Sequence, residues 1–176
     1  MLSSVHVMGP YWRDDADQRS PLGTLVSEAK DLGDPVALGR LRRQLCGFVA
    51  GLDLGACPLV VAVPPGPHRE AHPVPALASS VASGLGVVLD HVLDRAHDAP
   101  RLRGTSIEGR RHAVEAAGYV VTGDVVGRSV VLVDDVILTG TTLGFVAELL
   151  LEAGAAEIRA VVVCRTRLAT GTGAAG

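Results

Sequence analysis

Two adjacent aspartates, Asp134 and Asp135, follow an apolar run at residues 129–133 that reads SVVLV. Carboxylates in such a position cost free energy unless something binds them, because like charges repel and a core disfavours charge. The polar run TGTT follows at residues 139–142 and opens a second apolar stretch. Hydroxyl and N–H donors at a helix start form a phosphate cradle, and carboxylates accept hydrogen bonds from sugar hydroxyls or help hold a divalent cation. The pattern therefore predicts a site for a ligand with both a ribose and a phosphate monoester.

Other phosphate-binding folds place different residues around such a strand. A Walker-type nucleoside triphosphatase needs G-x-x-x-x-G-K-[ST], and Lys30 is the only lysine in the chain. The same observation argues against a receiver domain, which carries a lysine on a late strand. The aspartates are adjacent, not two apart as in haloacid-dehalogenase-like phosphatases, and no G-x-G-x-x-G run between a strand and a helix indicates a dinucleotide fold. A polar strand–turn–helix with a purely structural role remains the alternative.

The composition is that of a globular protein with 176 residues, 48% of them hydrophobic, and a net charge of -3. This length builds one domain with a substantial core, and the acidic balance argues against direct binding of nucleic acid. No apolar stretch approaches the roughly 20 residues of a membrane-spanning helix, and the first residues lack the pattern of a secretory signal. The cysteines are isolated, so we expect neither a disulfide framework nor structural zinc, and we predict a reduced, cytoplasmic setting.

The apolar periodicity predicts strands that alternate with helices. Short buried strands are predicted at residues 58–63, 86–93, 129–135 and 157–164, and helices at residues 22–29, 35–52, 75–82 and 143–154. Asp34 before Pro35 is a typical helix start. Such alternation builds a mostly parallel sheet covered on both faces, which is an α/β fold.

Three regions show no such period. Residues 1–20 are polar and contain Gly9 and Pro10, so we expect a loose N-terminal arm, and residues 169–176 should form a flexible tail. The basic segment at residues 94–111 is predicted to be a long loop. The interpretation is a single domain at residues 21–168 between the arm and the tail.

Residues 131–143 read VLVDDVILTGTTL, and this segment closely resembles the signature with which type I phosphoribosyltransferases bind phosphoribosyl pyrophosphate. Three further segments resemble the ComF-like (competence-associated) branch of that family, namely SEAKDLGDPVALGRL, VVAVPPGPHREAHPVPALASSVA and EGRRHAVEAAGYVV. The likeness extends over residues 22–167. It implies the phosphoribosyltransferase type I fold, a Rossmann-like parallel sheet with helices on both faces.

The resemblance also implies roles for individual residues. Asp134 and Asp135 would contact the ribose hydroxyls, and the residues holding the 5′-phosphate would be Leu138, Thr139, Gly140, Thr141 and Thr142. The pyrophosphate loop would comprise Pro64, Pro65, Gly66 and Arg69. Arg110 and Arg111 would lie on a flexible loop that closes over the pyrophosphate, with an ordinary solvated loop as the alternative. The family uses Mg²⁺ held mainly by the ligand, with the acid pair as its candidate protein ligands.

The activity implied by the resemblance is transfer of phosphoribosyl to a nitrogenous, nucleobase-like acceptor with release of pyrophosphate. Leu138 stands where relatives carry Thr or Asp, and His72 stands where the ComF pattern has Asn. The motif therefore shows no general base, and we assign no catalytic residue. The alternatives are a non-catalytic sensor of phosphoribosyl pyrophosphate or a nucleotide, and a competence-associated ComF-like protein. Relatives commonly form dimers, which makes a homodimer the candidate assembly, and residues 1–30 with the tail would recognise the acceptor.

Overall fold

A four-stranded parallel sheet lies at the centre of the computed structural model, which describes residues 2–13, 18–56, 58–65, 72–95 and 118–167. From one edge to the other, its strands are β1 (Ser4–Pro10), β6 (Glu157–Arg165), β5 (Ser129–Ile137) and β2 (Leu59–Ala62). The valine-rich sequences of β2, β5 and β6 suit strands that are buried on both faces. The strands predicted at residues 58–63, 129–135 and 157–164 are confirmed.

A separate antiparallel pair consists of β3 (Leu93–Arg95) and β4 (Tyr119–Val121). The strand expected at residues 86–93 is largely wrong, because Leu89 forms a single isolated bridge to Val60 before β3 begins. The exposed polar residues Asp90 and His91 interrupt the apolar run and separate these two pairings.

The described part of the chain contains four helices, α1 (Pro21–Asp31), α2 (Pro35–Val49), α3 (Pro73–Leu85) and α4 (Thr141–Glu152). A polar side chain caps each of the first two. Ser20 Oγ accepts a hydrogen bond from the backbone N–H of Gly23 at 2.9 Å, and Asp34 Oδ1 accepts one from that of Val36 at 2.8 Å. The helix start predicted at Asp34 is confirmed.

The helices cover both faces of the sheet, as predicted for an α/β fold. On one face, α1, α2 and α3 bury Val26, Leu41 and Leu77 against β5 and β6. On the other face, α4 buries Val146 and Leu150, and the β3–β4 pair packs beside it. The carboxyl ends of the parallel strands therefore meet helix ends from both layers, which is where an open α/β sheet binds ligands.

The N-terminal residues correct one expectation. The loose arm predicted for residues 1–20 is wrong for residues 4–10, because β1 pairs in parallel with β6 along the edge of the sheet. Edge strands are only partly covered, and polar residues such as His6 therefore alternate with Val5 and Val7. This alternation was the available signal, but it is too short to stand out as an apolar run.

Candidate functional site

The acid pair lies in the last part of β5, inside the strand and not beyond it, since β5 continues to Ile137. Asp135 is almost completely buried, with 3% of its surface exposed, whereas Asp134 is half-buried. β2 ends beside the pair, because Ala62 lies opposite Val133 in the parallel register. The two prolines that follow β2 in the predicted pyrophosphate loop therefore begin level with the aspartates.

A basic partner from another element explains how Asp135 can be buried. Lys30, in the last turn of α1, places its Nζ 2.5 Å from Asp135 Oδ2. His72, the residue that precedes α3, places its Nε2 3.8 Å from the same oxygen. A buried carboxylate is tolerated when a cation compensates its charge. Sequence reasoning assigned Lys30 no role, although its being the only lysine among 16 basic residues was a signal.

Asp134 is held differently from its neighbour. Its Oδ1 accepts a hydrogen bond of 2.8 Å from the backbone N–H of Asp135. Burial, followed by the charge of Asp135, raises the pKa of Asp134 from 3.8 to about 8, although this hydrogen bond and Lys30 act in the opposite direction. Near neutral pH the empty site therefore holds a proton on Asp134 in most molecules. The repulsion expected between adjacent carboxylates is relieved in this way.

The predicted phosphate loop connects β5 to α4 and is open at the helix start. Thr139 is exposed, and its Oγ1 lies 2.8 Å from Thr141 Oγ1. Gly140 is the N-cap and has φ of +80°, a left-handed conformation that favours glycine. The N-cap Gly140 has no side chain to cap α4, unlike the N-cap residues of α1 and α2, and the N–H of Thr141 makes only a long hydrogen bond of 3.4 Å to Thr139 Oγ1. The start of this helix is therefore suited to an anion. Leu138 and Thr142, the other predicted members, are both half-buried in the same connection.

The β3–β4 pair borders the site on the side of Asp134. Arg95 lies over the ring of Tyr119, with 5.3 Å from Cζ to the ring centroid. Burial raises the pKa of Tyr119, the nearby guanidinium of Arg95 lowers it, and the charge of Asp134 raises it. Asp134 and this aromatic–cation pair therefore share one electrostatic environment.

A cavity of about 420 Å³ opens at the carboxyl ends of β1 and β6. The residues that line it are Val7, Gly9, Pro10, Trp12, Arg13, Arg165, Thr166 and Arg167. Trp12 is fixed there because its indole N–H donates a hydrogen bond of 2.9 Å to Thr166 Oγ1. The backbone N–H of Thr166 in turn donates to the carbonyl of Ile137, at the end of β5. The cavity is thereby tied to the strand that carries the acid pair.

The acid pair offers oxygen ligands that suit a hard cation such as Mg²⁺. Among the described residues no cluster of three or more His, Cys, Asp or Glu side chains forms a protein cage for a metal ion. A cation bound here would displace the proton of Asp134 and would share most of its coordination with ligand phosphates, which is common for Mg²⁺.

Several predicted site residues fall outside the described part of the chain. Gly66 and Arg69 of the predicted pyrophosphate loop lie outside it, as do Arg110 and Arg111 of the predicted flexible loop. The structure thus brings together the acid pair, the phosphate loop and the two prolines after β2, and adds Lys30 to them.

A sequence model of the family described as "Phosphoribosyl transferase domain" matches residues 75–172, more than half of the chain. The chain belongs to the phosphoribosyl transferase domain family. The matched range contains the acid pair and the phosphate loop, whereas β1, α1, α2 and β2 precede it. Comparison with curated proteins gives no match.

Several solved structures are similar to this phosphoribosyl transferase domain. Glutamine phosphoribosylpyrophosphate amidotransferase from B. subtilis, complexed with ADP and GMP, aligns with a TM-score of 0.51 and 24% identity over 69% of this chain and 26% of that chain. A structure described as the allosteric regulatory enzyme of purine biosynthesis has a TM-score of 0.49 and 24% identity over 69% of this chain and 25% of that one. Orotate phosphoribosyltransferase from Aeropyrum pernix has a TM-score of 0.46 and 25% identity over 76% and 62% of the two chains.

The chain spans about a quarter of the length of the first two of these proteins. Its match to the amidotransferase, together with the family, confirms the predicted phosphoribosyltransferase type I fold. In the described ranges, no helix has the length and apolar character needed to cross a membrane.

Proposed function

We propose that the protein is a phosphoribosyltransferase that binds phosphoribosyl pyrophosphate with Mg²⁺ and transfers phosphoribosyl to a nitrogenous, nucleobase-like acceptor. The observation that carries this proposal is the joint position of the acid pair and the start of α4 at the carboxyl ends of the parallel strands. A ligand with ribose hydroxyls and a 5′-phosphate needs both kinds of partner in that arrangement. Membership of the phosphoribosyl transferase domain family supports the same conclusion.

In this proposal, the chain binds and orients the sugar phosphate. Residues 138–142 receive the 5′-phosphate on N–H and hydroxyl donors, while Asp134 and Asp135 form hydrogen bonds with the ribose hydroxyls. The backbone after β2, at Pro64 and Pro65, faces the pyrophosphate. When bound, Mg²⁺ would neutralise charge on the leaving pyrophosphate, with the acid pair as its candidate protein ligands.

The proposed reaction breaks one bond and forms one at the anomeric carbon. The C–O bond to pyrophosphate breaks, and its electron pair leaves with the pyrophosphate oxygen. A nitrogen lone pair of the acceptor forms the new C–N bond, and the N–H proton of the acceptor is released to solvent, since no general base is assigned. The transition state carries positive charge on the ribose ring. Orientation of the two reactants and electrostatic stabilisation then supply most of the rate enhancement.

The cavity beside Trp12 is the proposed position of the acceptor. It lies between the ends of β1 and β6 and adjoins the end of β5 through the Thr166–Ile137 hydrogen bond. An indole ring and guanidinium groups suit a planar, polar ligand such as a nucleobase. The acceptor itself is not specified by these features.

Release of pyrophosphate from phosphoribosyl pyrophosphate, measured with Mg²⁺ across a panel of nucleobases, tests the proposal. We expect release that depends on one acceptor and that Asp134→Asn/Asp135→Asn abolishes. Conversion of Arg40, an exposed residue of α2, to Gln is the control and should leave the rate unchanged. Binding of phosphoribosyl pyrophosphate without release for any acceptor would contradict the enzymatic assignment.

A second candidate is a protein of the same fold that senses phosphoribosyl pyrophosphate or a nucleotide. Leu138 favours it, because this apolar residue occupies the loop position where a general base or a polar donor would help catalysis. Membership of the ComF-like branch is part of the main proposal, and a competence-associated ComF-like protein that acts through protein contacts is a further alternative. Tight ligand binding combined with absent turnover is the expected signature of the sensor.

The proposal also covers the organisation of the molecule. We assign residues 21–168 to a single domain and add the N-terminal strand to it, because β1 is part of the same sheet. A homodimer in a reducing, cytoplasmic setting is the proposed assembly, and its molecular mass in solution tests this. The predicted tail at residues 169–176 lies outside the described residues.

A further inference from the structure

Lys30 occupies an unusual position for a lysine at the end of a helix. Basic residues in a last turn usually interact with the carbonyls of their own helix or with solvent. The side chain of Lys30 instead crosses from α1 to the sheet and contacts Asp135, leaving 22% of its side chain exposed against 4% for the aspartate. The contact therefore joins two elements that are distant in sequence.

Both basic contacts to Asp135 involve the same carboxylate oxygen, Oδ2. Oδ2 of Asp135 is fully buried and forms an ion pair with Lys30 Nζ at 2.5 Å that lacks hydrogen-bond geometry, and His72 Nε2 lies 3.8 Å from it. Two basic side chains from α1 and from the start of α3 thus converge on a single atom. A carboxylate held at one oxygen cannot rotate freely, and its other oxygen, Oδ1, has a fixed direction.

We propose that Lys30 is a positioning residue, which holds Asp135 Oδ2 so that Oδ1 meets a ribose hydroxyl of the ligand. This role rests on the proposed function, because it requires that Asp135 binds the sugar. Lys30 acts through Asp135 and does not itself take part in bond making. A misplaced carboxylate loses the directionality on which a charge-assisted hydrogen bond depends.

The compact ammonium group explains why a lysine suits this place. It brings a point charge to one oxygen, whereas a guanidinium favours the bidentate contact that occupies both oxygens. Every other Lys or Arg position of the chain is arginine, so residue 30 is the single exception. An arginine here would keep the charge but compete with the ligand for Oδ1.

Calorimetric titration of the full chain with ribose 5-phosphate and with inorganic phosphate separates this role from a structural one. Lys30→Met should weaken the binding of ribose 5-phosphate about tenfold. The affinity for inorganic phosphate should not change, because this ligand needs only residues 139–142. Lys30→Arg should bind the sugar phosphate better than Lys30→Met and worse than wild type. Arg40→Met is the matched control, because it removes an exposed positive charge from α2 and should change neither affinity.

A double-mutant cycle tests whether Lys30 acts through Asp135. Asp135→Asn and the pair Lys30→Met/Asp135→Asn should bind ribose 5-phosphate with affinities within about twofold of each other, because the second change removes an interaction already lost. Losses that multiply to about a hundredfold would overturn the role, as would a Lys30→Met protein that binds like wild type. A Lys30→Met protein that melts earlier and loses affinity for both ligands equally would show a structural role only.

The same titrations distinguish failure of this role from failure of the proposed function. Wild-type protein that binds neither phosphoribosyl pyrophosphate nor ribose 5-phosphate would refute the proposed function and this role with it. Wild-type binding that Lys30→Met retains in full would refute the role of Lys30 alone.

Discussion

The pH dependence of folding stability reports on the state of the acid pair, and Asp134→Asn is the variant that isolates it. Burial, followed by the charge of Asp135, raises the pKa of Asp134 from 3.8 to about 8 in the folded protein. The folded protein therefore holds this proton more tightly than the unfolded chain does. The stability that Asp134 contributes is complete below pH 3.8 and is lost as the pH rises through the folded value near 8.

The size of the effect follows from the shift and from the exposure of the side chain. One pKa unit corresponds to about 1.4 kcal/mol of free energy. Because Asp134 is half-buried and solvent screens part of the interaction, we expect the free energy of unfolding to fall by roughly 3 kcal/mol between about pH 5 and pH 9. Asn resembles a neutral aspartic acid and does not ionise, so Asp134→Asn should escape this loss. At about pH 9 its Tm should exceed that of wild type by about 6–12 °C, since 1 kcal/mol shifts Tm by about 2–4 °C at this chain length.

Thermal and urea melts of the ligand-free proteins across this pH range measure the difference. Asp90→Asn is a matched control, because Asp90 Oδ1 also accepts a hydrogen bond of 2.8 Å from the next backbone N–H, but Asp90 is exposed. The free energy of unfolding of Asp90→Asn should follow that of wild type at every pH. If the curves of Asp134→Asn and wild type run parallel throughout, Asp134 is already ionised in the folded empty site and the reasoning is refuted.

Four further substitutions probe the site and the fold. Asp135→Asn leaves the half-buried ammonium of Lys30 without its carboxylate, so melts should show a free energy of unfolding lower by roughly 2 kcal/mol. Titration should show at least about tenfold weaker binding of phosphoribosyl pyrophosphate with Mg²⁺, and undiminished affinity would contradict the role of Asp135. Gly140→Ala introduces a side chain at φ of +80°, which should lower the free energy of unfolding by about 1 kcal/mol. Titration should show weaker binding of inorganic phosphate to this variant. Gly23→Ala drives a Cβ into the backbone carbonyl of Tyr11 and should lower the free energy of unfolding by about 3 kcal/mol in urea melts. Gly47→Ala meets open space in a helix interior and should instead raise it by about 0.5–1 kcal/mol.

The candidate site was predictable where its parts are contiguous in the chain. β5, the phosphate loop and α4 follow one another within residues 129–152, so local patterns determine how the acid pair and residues 139–142 lie together. Gly140 lies between the strand and the helix and adopts a left-handed conformation, which glycine allows without strain. The covering of both sheet faces was predictable for a similar reason, since alternating strands and helices leave few other topologies.

Contacts between distant segments were not predictable from these patterns. The lysine at residue 30 is conspicuous in the sequence, but nothing local indicates which acid it meets, and only the packing of α1 on the sheet brings it to Asp135. β1 was missed because its partner β6 lies at the far end of the chain, and pairing, not local propensity, stabilises a half-buried edge strand. Trp12 depends on β1 in turn, and its position beside Thr166 could not be inferred without that strand.

The two aspartates are stabilised in different ways, and the difference predicts which of them matters more for ligand binding. The carboxylate of Asp135 is compensated by Lys30 within the protein, whereas Lys30 offsets only part of the burial and repulsion that raise the pKa of Asp134 to about 8. The empty site therefore avoids two adjacent charges by keeping a proton on Asp134. A neutral carboxyl group both donates and accepts hydrogen bonds, as an amide does, and ribose hydroxyls can satisfy either. We thus expect Asp134→Asn to retain more affinity for ribose 5-phosphate near neutral pH than Asp135→Asn does. Titration of the two single variants measures this order, and the reverse order would mean that Asp134 binds the sugar as a carboxylate.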